Sequence, residues 1–116
     1  MNKQDFPIRP AELRDLGAVV GLIRELADFE KLTHLLQVDE ERLRPHLFGP
    51  SPKAEAVVAE DGEGRVVAFA LFFHNFSTFL AQPGLYLEDL YVQPAYRGTG
   101  LGRQLLTHLA RLAVAR

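Results

Sequence analysis

At 116 residues the chain has room for one domain with a real core and not for two. A composition of 47% hydrophobic and 24% charged residues is that of a globular protein, and the lack of cysteine excludes a disulfide framework, a thiolate nucleophile and a zinc–sulfur site. The formal net charge of −2, with no basic tract interleaved with aromatics, argues against nucleic acid. Met1-Asn2-Lys3-Gln4-Asp5 has no apolar leader and no run approaches a membrane span, so a cytoplasmic protein is expected. The charge is unevenly spread. Between Glu25 and Glu41 six acids face one lysine, whereas from Tyr96 onward there are four arginines and no acid. An acidic region suits a cationic substrate, and a basic end suits a polyphosphate.

Phe6-Pro7-Ile8-Arg9-Pro10-Ala11 reads as an edge strand, because proline on both sides of Ile8-Arg9 is incompatible with a central one. Leu16, Val19, Val20, Ile23, Leu26 and Ala27 then recur at helical spacing, with Asp15 as the N-cap. Glu30 continues that stripe, at the helix end in solvent or pointing into a cleft. A second helix is predicted to start at Asp39-Glu40-Glu41, where acids favour the dipole, and to end or bend at Pro45.

After the breaker segment Gly49-Pro50-Ser51-Pro52, two β-prone runs, 54–60 and 65–74, flank the turn Asp61-Gly62-Glu63-Gly64 and predict a hairpin. The second run is apolar from Val66 to Phe73, which predicts a strand covered on both faces. Residues 75–84 read as a loop, with Phe76 and Phe79 over the core or lining a cleft. Leu85-Tyr86-Leu87-Glu88-Asp89-Leu90-Tyr91-Val92 is the next strand. Its adjacent carboxylates face opposite sides, so at least one points at protein interior. An unpaired buried carboxylate is costly. Either an ion pair with Arg9 or Arg14 or an active-site role accounts for it.

Three glycines at alternate positions in Arg97-Gly98-Thr99-Gly100-Leu101-Gly102 lead from that strand into a last helix, whose apolar stripe is Leu101, Leu105, Leu109, Leu112 and Ala113. Such a turn brings backbone amides close to an anion at the helix's positive end. Arg103 and Gln104 after Gly102 exclude a nucleoside-triphosphate loop. Arg103 also stands where a dinucleotide fingerprint needs its third small residue. His34, His46, His74 and His108 do not recur at ligand spacing, so no metal site is expected.

The pattern Arg97, Gly100, Gly102 after a strand and before a helix resembles the pyrophosphate loop of the GNAT acetyltransferases. Ile8-Arg9-Pro10-Ala11, Leu22-Ile23-Arg24-Glu25-Leu26-Ala27 and above all 85–92 are similar to the diamine (spermidine/spermine) and thialysine acetyltransferase branch. The resemblance covers essentially the whole chain. It implies one α/β domain over 1–116, with a mixed, mostly antiparallel sheet flanked by helices in the order β-α-α-β-β-β-α. It also implies that the family's later strands, and the tyrosine acid they commonly carry, lie beyond Arg116, lost by truncation or supplied by another chain. An open strand edge then predicts a homodimer.

The same resemblance implies acetyl-CoA as co-substrate, held by backbone amides of Leu90 and Val92 and by Arg97, Gly98, Thr99, Gly100, Leu101, Gly102 and Arg103. A primary amine with a pKa of about 10.4 must lose a proton before attacking a thioester, at a cost of about 4.6 kcal/mol at pH 7. Glu88 is the expected general base, the Leu90 N–H the expected oxyanion donor, and Asp89 and Glu30 the expected holders of a cationic small-molecule amine. The expected activity is acetyl transfer to a polyamine or lysine-like amine by direct attack. The alternative is an impaired fragment that dimerises or binds coenzyme without turnover.

Overall fold

The computed structural model describes residues 6–116. Four strands, β1 (Ile8–Pro10), β2 (Glu55–Glu60), β3 (Val66–Ser77) and β4 (Gln82–Val92), form one sheet in the order β1-β2-β3-β4, with every neighbouring pair antiparallel. Helices α1 (Leu16–Phe29) and α2 (Glu40–Phe48) precede β2, and α3 (Leu101–Ala115) follows β4. The predicted element order is therefore the observed one.

The alternation of strand side chains divides the core into two layers. Val57, Ala59, Ala68, Ala70, Phe72 and Val92 meet Leu101, Leu105 and Leu109 of α3 on one face. Val58, Phe69, Leu71 and Tyr91 meet Val19 and Leu22 of α1 on the other, with Leu43 and Leu47 of α2 packed against them. Central strand β3 is buried from Val67 to Phe72, as expected of a strand sandwiched between helices. Full burial of each of the three α3 leucines contributes about 2 kcal/mol of hydrophobic stabilisation.

Three local expectations change. Of the two outcomes expected at Pro45, α2 does not end there; the helix runs three residues further and stops at Gly49, whose N–H bonds the Pro45 carbonyl at 3.1 Å. Asp15 occupies the N-cap position of α1 but its side chain caps nothing there. Instead it accepts from the Glu12 amide at 2.7 Å and both terminal nitrogens of Arg9, at 2.7 and 3.0 Å. Most of the predicted loop 75–84 is hairpin: β3 and β4 stay paired out to Ser77 and Gln82. Phe76 and Phe79 therefore stand 63% and 100% exposed at its tip rather than over the core.

Candidate active site

The β3–β4 ladder is regular from Val92 back to Asp89, which pairs with Leu71, but the next pair is Leu87 with Phe72. Glu88 is thus the extra residue of a β-bulge. The bulge explains how a strand places Leu87 and Leu90 on the α3 side while Glu88 is exposed and Asp89 turns towards α1. Beyond β4 no further strand is paired among the described residues. The Gln93 N–H donates inward to the Val67 carbonyl at 3.0 Å. Antiparallel alternation from that bond directs the amides and carbonyls of Leu90 and Val92 outward, to the free edge.

Asp89 and Glu30 line one pocket of about 200 Å³. Its walls are Ile23, Leu26 and Ala27 of α1 and Leu32, Leu35 and Leu36 of the following segment. Lys31, with φ of 58°, turns the chain there so that Leu32 comes back to bond the Ala27 carbonyl through its N–H. Glu30 is the C-cap residue of α1, and its side chain is exposed at the pocket mouth. Burial, reinforced by the charges of Glu88 and Glu30, raises the Asp89 carboxyl above the usual range. Arg9 and Arg14 are not its partners: Arg9 holds Asp15 and Glu60, and Arg14 holds Glu12. No cation pairs with Asp89, Glu88 or Glu30 among the described residues. The site is an acidic mouth over an apolar floor, suited to an alkyl chain ending in an ammonium group.

Strand β4 leads through the short 3-10 turn Pro94–Tyr96 into the glycine loop. Gly98 and Gly100 have φ of 80° and 90°, the left-handed region in which a side chain is strained. A Cβ built on Gly98 or Gly102 would meet no atom within 4 Å, so the backbone can be approached closely from outside. Gly100 is the N-cap of α3 and supplies no side-chain cap, and no acid occupies the first turn. The Gln104 N–H already reaches the Gly100 carbonyl at 3.0 Å. The amides of Leu101, Gly102 and Arg103, before it, have no acceptor within the helix. Those amides and the helix dipole fit a diphosphate, so the residues present suit the coenzyme implied by the sequence.

Two side chains of this loop point elsewhere. The Arg97 Nε donates to the outward Val92 carbonyl at 2.9 Å, and its guanidinium lies 4.9 Å from the Phe29 ring centroid and 5.3 Å from that of Tyr91. The Arg103 side chain lines a separate cavity of about 350 Å³ between α3 and β1, with Phe6, Ile8 and Arg111. Sequence reasoning missed Glu25, whose carboxylate accepts from the Tyr91 hydroxyl at 3.2 Å and the Gln93 amide at 3.0 Å. It ties α1 to the end of β4. Sequence reasoning also missed the apolar pocket walls at Leu32, Leu35 and Leu36, which follow the helix without periodicity.

The description "Acetyltransferase (GNAT) family" matches residues 17–116. Thialysine N-epsilon-acetyltransferase of Mus musculus is 40% identical over 114 residues, covering 92% of this chain and 66% of that protein. Spermidine/spermine N(1)-acetyltransferase-like protein 1 of Homo sapiens is 31% identical over 115 residues, 94% of this chain and 16% of the other. The chain thus spans just under two thirds of the mouse protein's length. In fold it resembles ribosomal-protein-alanine N-acetyltransferase from Brucella melitensis biovar Abortus 2308, with a TM-score of 0.78 at 24% identity over 97% of this chain and 75% of that one. With the sheet, the bulged acidic strand and the glycine loop in place, the chain belongs to the GNAT acetyltransferase family.

Proposed function

We propose that this single domain transfers an acetyl group from acetyl-CoA to a primary amine of a small cationic substrate, polyamine or lysine-like. One juxtaposition carries the reading. A loop of open, positively polarised amides directly follows a strand whose outward amides and unpartnered carboxylates share one edge. The names of the mouse and human relatives, which act on thialysine or are likened to a spermidine/spermine enzyme, support the substrate class.

In this reading the amides of Gly98, Thr99, Gly100, Leu101, Gly102 and Arg103 hold the diphosphate, with the Arg97 side chain held back on the Val92 carbonyl at the base of the loop. Leu90 and Val92 hold the arm along the strand edge. Acetyl-CoA supplies an acyl group activated as a thioester. Asp89 and Glu30 draw the amine's cationic end into the pocket, and the apolar walls take its methylenes. Glu88, exposed at the bulge, accepts the proton from the attacking nitrogen, directly or through one water. The outward N–H of Leu90 donates to the acyl oxygen as charge develops on it. Tyr91, Tyr96 and Tyr86 are not assigned the acid role. The free edge of β4 is proposed to pair in a homodimer, and the protein to work in the cytoplasm.

The test is calorimetric titration of acetyl-CoA into the chain, followed by an amine panel with wild type and Glu88→Gln. Binding, acetylation of diamines and a large rate loss on substitution are expected. Equal rates would remove Glu88 from the mechanism. A second reading, a dimerising or coenzyme-binding module without turnover, is favoured by the unpaired β4 edge. Coenzyme binding with no turnover and a dimeric mass would support it.

A further inference from the structure

Asp15 and Asp61 are the buried charged residues among those described, 5% and 7% exposed. Asp15 is accounted for by Arg9. Asp61 lies in the β2–β3 turn, outside the lining of the acidic pocket, and the cation that pairs with it, Arg65, is exposed. Its Oδ1 accepts from the amides of Glu63 at 2.8 Å and Arg65 at 2.9 Å. Its Oδ2 accepts from the Arg65 Nε at 3.0 Å and from the Tyr96 hydroxyl at 3.1 Å. The backbone bond from Arg65, with that from Glu63, holds the carboxyl down at about 2, so it remains an acceptor throughout the working pH range.

Tyr96 is the residue before the glycine loop, and four separate contacts fix it. Its ring meets Phe6 edge-on, with centroids 5.8 Å apart and planes at 83°. Its N–H donates to the Gln93 carbonyl at 2.9 Å. Its carbonyl accepts the Thr99 hydroxyl at 2.6 Å, from inside the loop. Its hydroxyl reaches Asp61. A continuous chain of bonds therefore runs from the β2–β3 turn through Tyr96 to Thr99, which sits between two glycines of positive φ. Those glycines confer freedom that must be removed before several amides can converge on one anion.

We infer that Asp61, acting through Tyr96 and Thr99, is a positioning residue that preorganises the loop amides for the coenzyme's diphosphate. The inference rests on the functional reading above. It assigns the β2–β3 turn, on the opposite side of β3 from the acidic strand, a part in coenzyme affinity. It predicts an effect on binding and on the KM for acetyl-CoA, with kcat left alone, because neither residue touches the reacting atoms.

The experiment measures CoA binding by calorimetry for wild type, Asp61→Asn, Tyr96→Phe, Thr99→Val and the double variant Asp61→Asn/Tyr96→Phe. Tyr86→Phe on the exposed hairpin serves as control. Backbone order parameters for residues 97–102 are recorded without ligand. Tyr96→Phe removes one hydroxyl and leaves the ring on Phe6, so it remains informative even where Asp61→Asn disturbs its own turn. Losing one net hydrogen bond to the loop corresponds to about a fivefold weaker Kd. The double variant is expected to be no weaker than the poorer single one, since both break the same chain. Order parameters at Gly98 and Gly100 should fall, and Tyr86→Phe should bind as wild type. Unchanged Kd and unchanged loop order in Tyr96→Phe would overturn the positioning role while leaving the coenzyme reading intact. A wild-type chain that takes up no CoA would overturn that reading, and the positioning role with it.

Discussion

Two clusters of carboxylates lie on the α1 side of this small sheet, and they are treated in opposite ways. Around β1, Arg9 sits between Asp15 and Glu60, with bonds of 2.7, 3.0 and 2.9 Å. Its guanidinium holds the Asp15 carboxyl below the usual range, and the two acids in turn raise Arg9. On β4, Glu88 and Asp89 stand with Glu30 and no cation among the described residues, and Asp89 moves the other way because burial disfavours its charge. Acids with a cation in place hold the fold. Acids without one line an open pocket, and the proposed function gives them the substrate's ammonium group as partner.

Breaking the comparison at Glu88 should have the largest effect. Glu88→Gln is expected to lower kcat about 100-fold or more with little change in unfolding free energy, since the residue is exposed and makes no hydrogen bond or ion pair among the described residues. Steady-state acetylation alongside urea unfolding checks both halves. In the paired cluster the reverse is expected. Asp15→Ala leaves Arg9 with Glu60 and a looser contact to Glu12 at 3.8 Å, and should cost about 2 kcal/mol in urea unfolding, with the KM for amine unchanged in the folded fraction.

Asp89→Asn is the intermediate case. It removes a charge the fold holds at a cost, so stability near neutral pH should stay level or rise, while the KM for a diamine increases about tenfold. Glu30→Gln, at the pocket mouth and exposed, should raise that KM only about threefold.

The two clusters also predict opposite pH signs. Asp15 has a folded pKa below its unfolded value, so its contribution is full above the ordinary carboxylate range and is lost as pH falls through the lowered one. Asp89 has a raised folded pKa. Its ionisation therefore removes stability as pH climbs from the ordinary carboxylate range to that raised value. Comparing stability against pH for Asp15→Asn and Asp89→Asn should show the acid limb shallower in the first and steeper in the second. Limbs altered in the same direction would refute the distinction.

Much of this was legible in the chain itself, for identifiable reasons. The unbroken apolar run of β3, the helical stripe at Leu101, Leu105 and Leu109, and glycines at 98 and 100 are local signals, and each lies where it was expected. Continuing the α1 stripe one step left Glu30 open between solvent and a cleft, and the structure has it exposed at the mouth of the pocket that Asp89 also lines. What escaped was long-range. Nothing near Asp61 in sequence announces Tyr96, 35 residues later, and nothing near Tyr91 announces Glu25, 66 residues earlier. The hairpin tip was misread because Pro83 and Gly84 look like loop residues, although an outer β4 position tolerates both.

The unpartnered position at 88 has an evolutionary corollary. Leu87 already faces Phe72, and Asp89 already faces Leu71. An in-frame loss of that one codon would therefore let both neighbours keep their places and would mend the strand rather than break it. A lineage could shed the acid, and regain it, without redrawing the interior. If Glu88 has its proposed role, catalytic and silent versions of this scaffold are separated by a single triplet, and a deletion variant at 88 that folds at least as firmly as its parent would make that short distance visible.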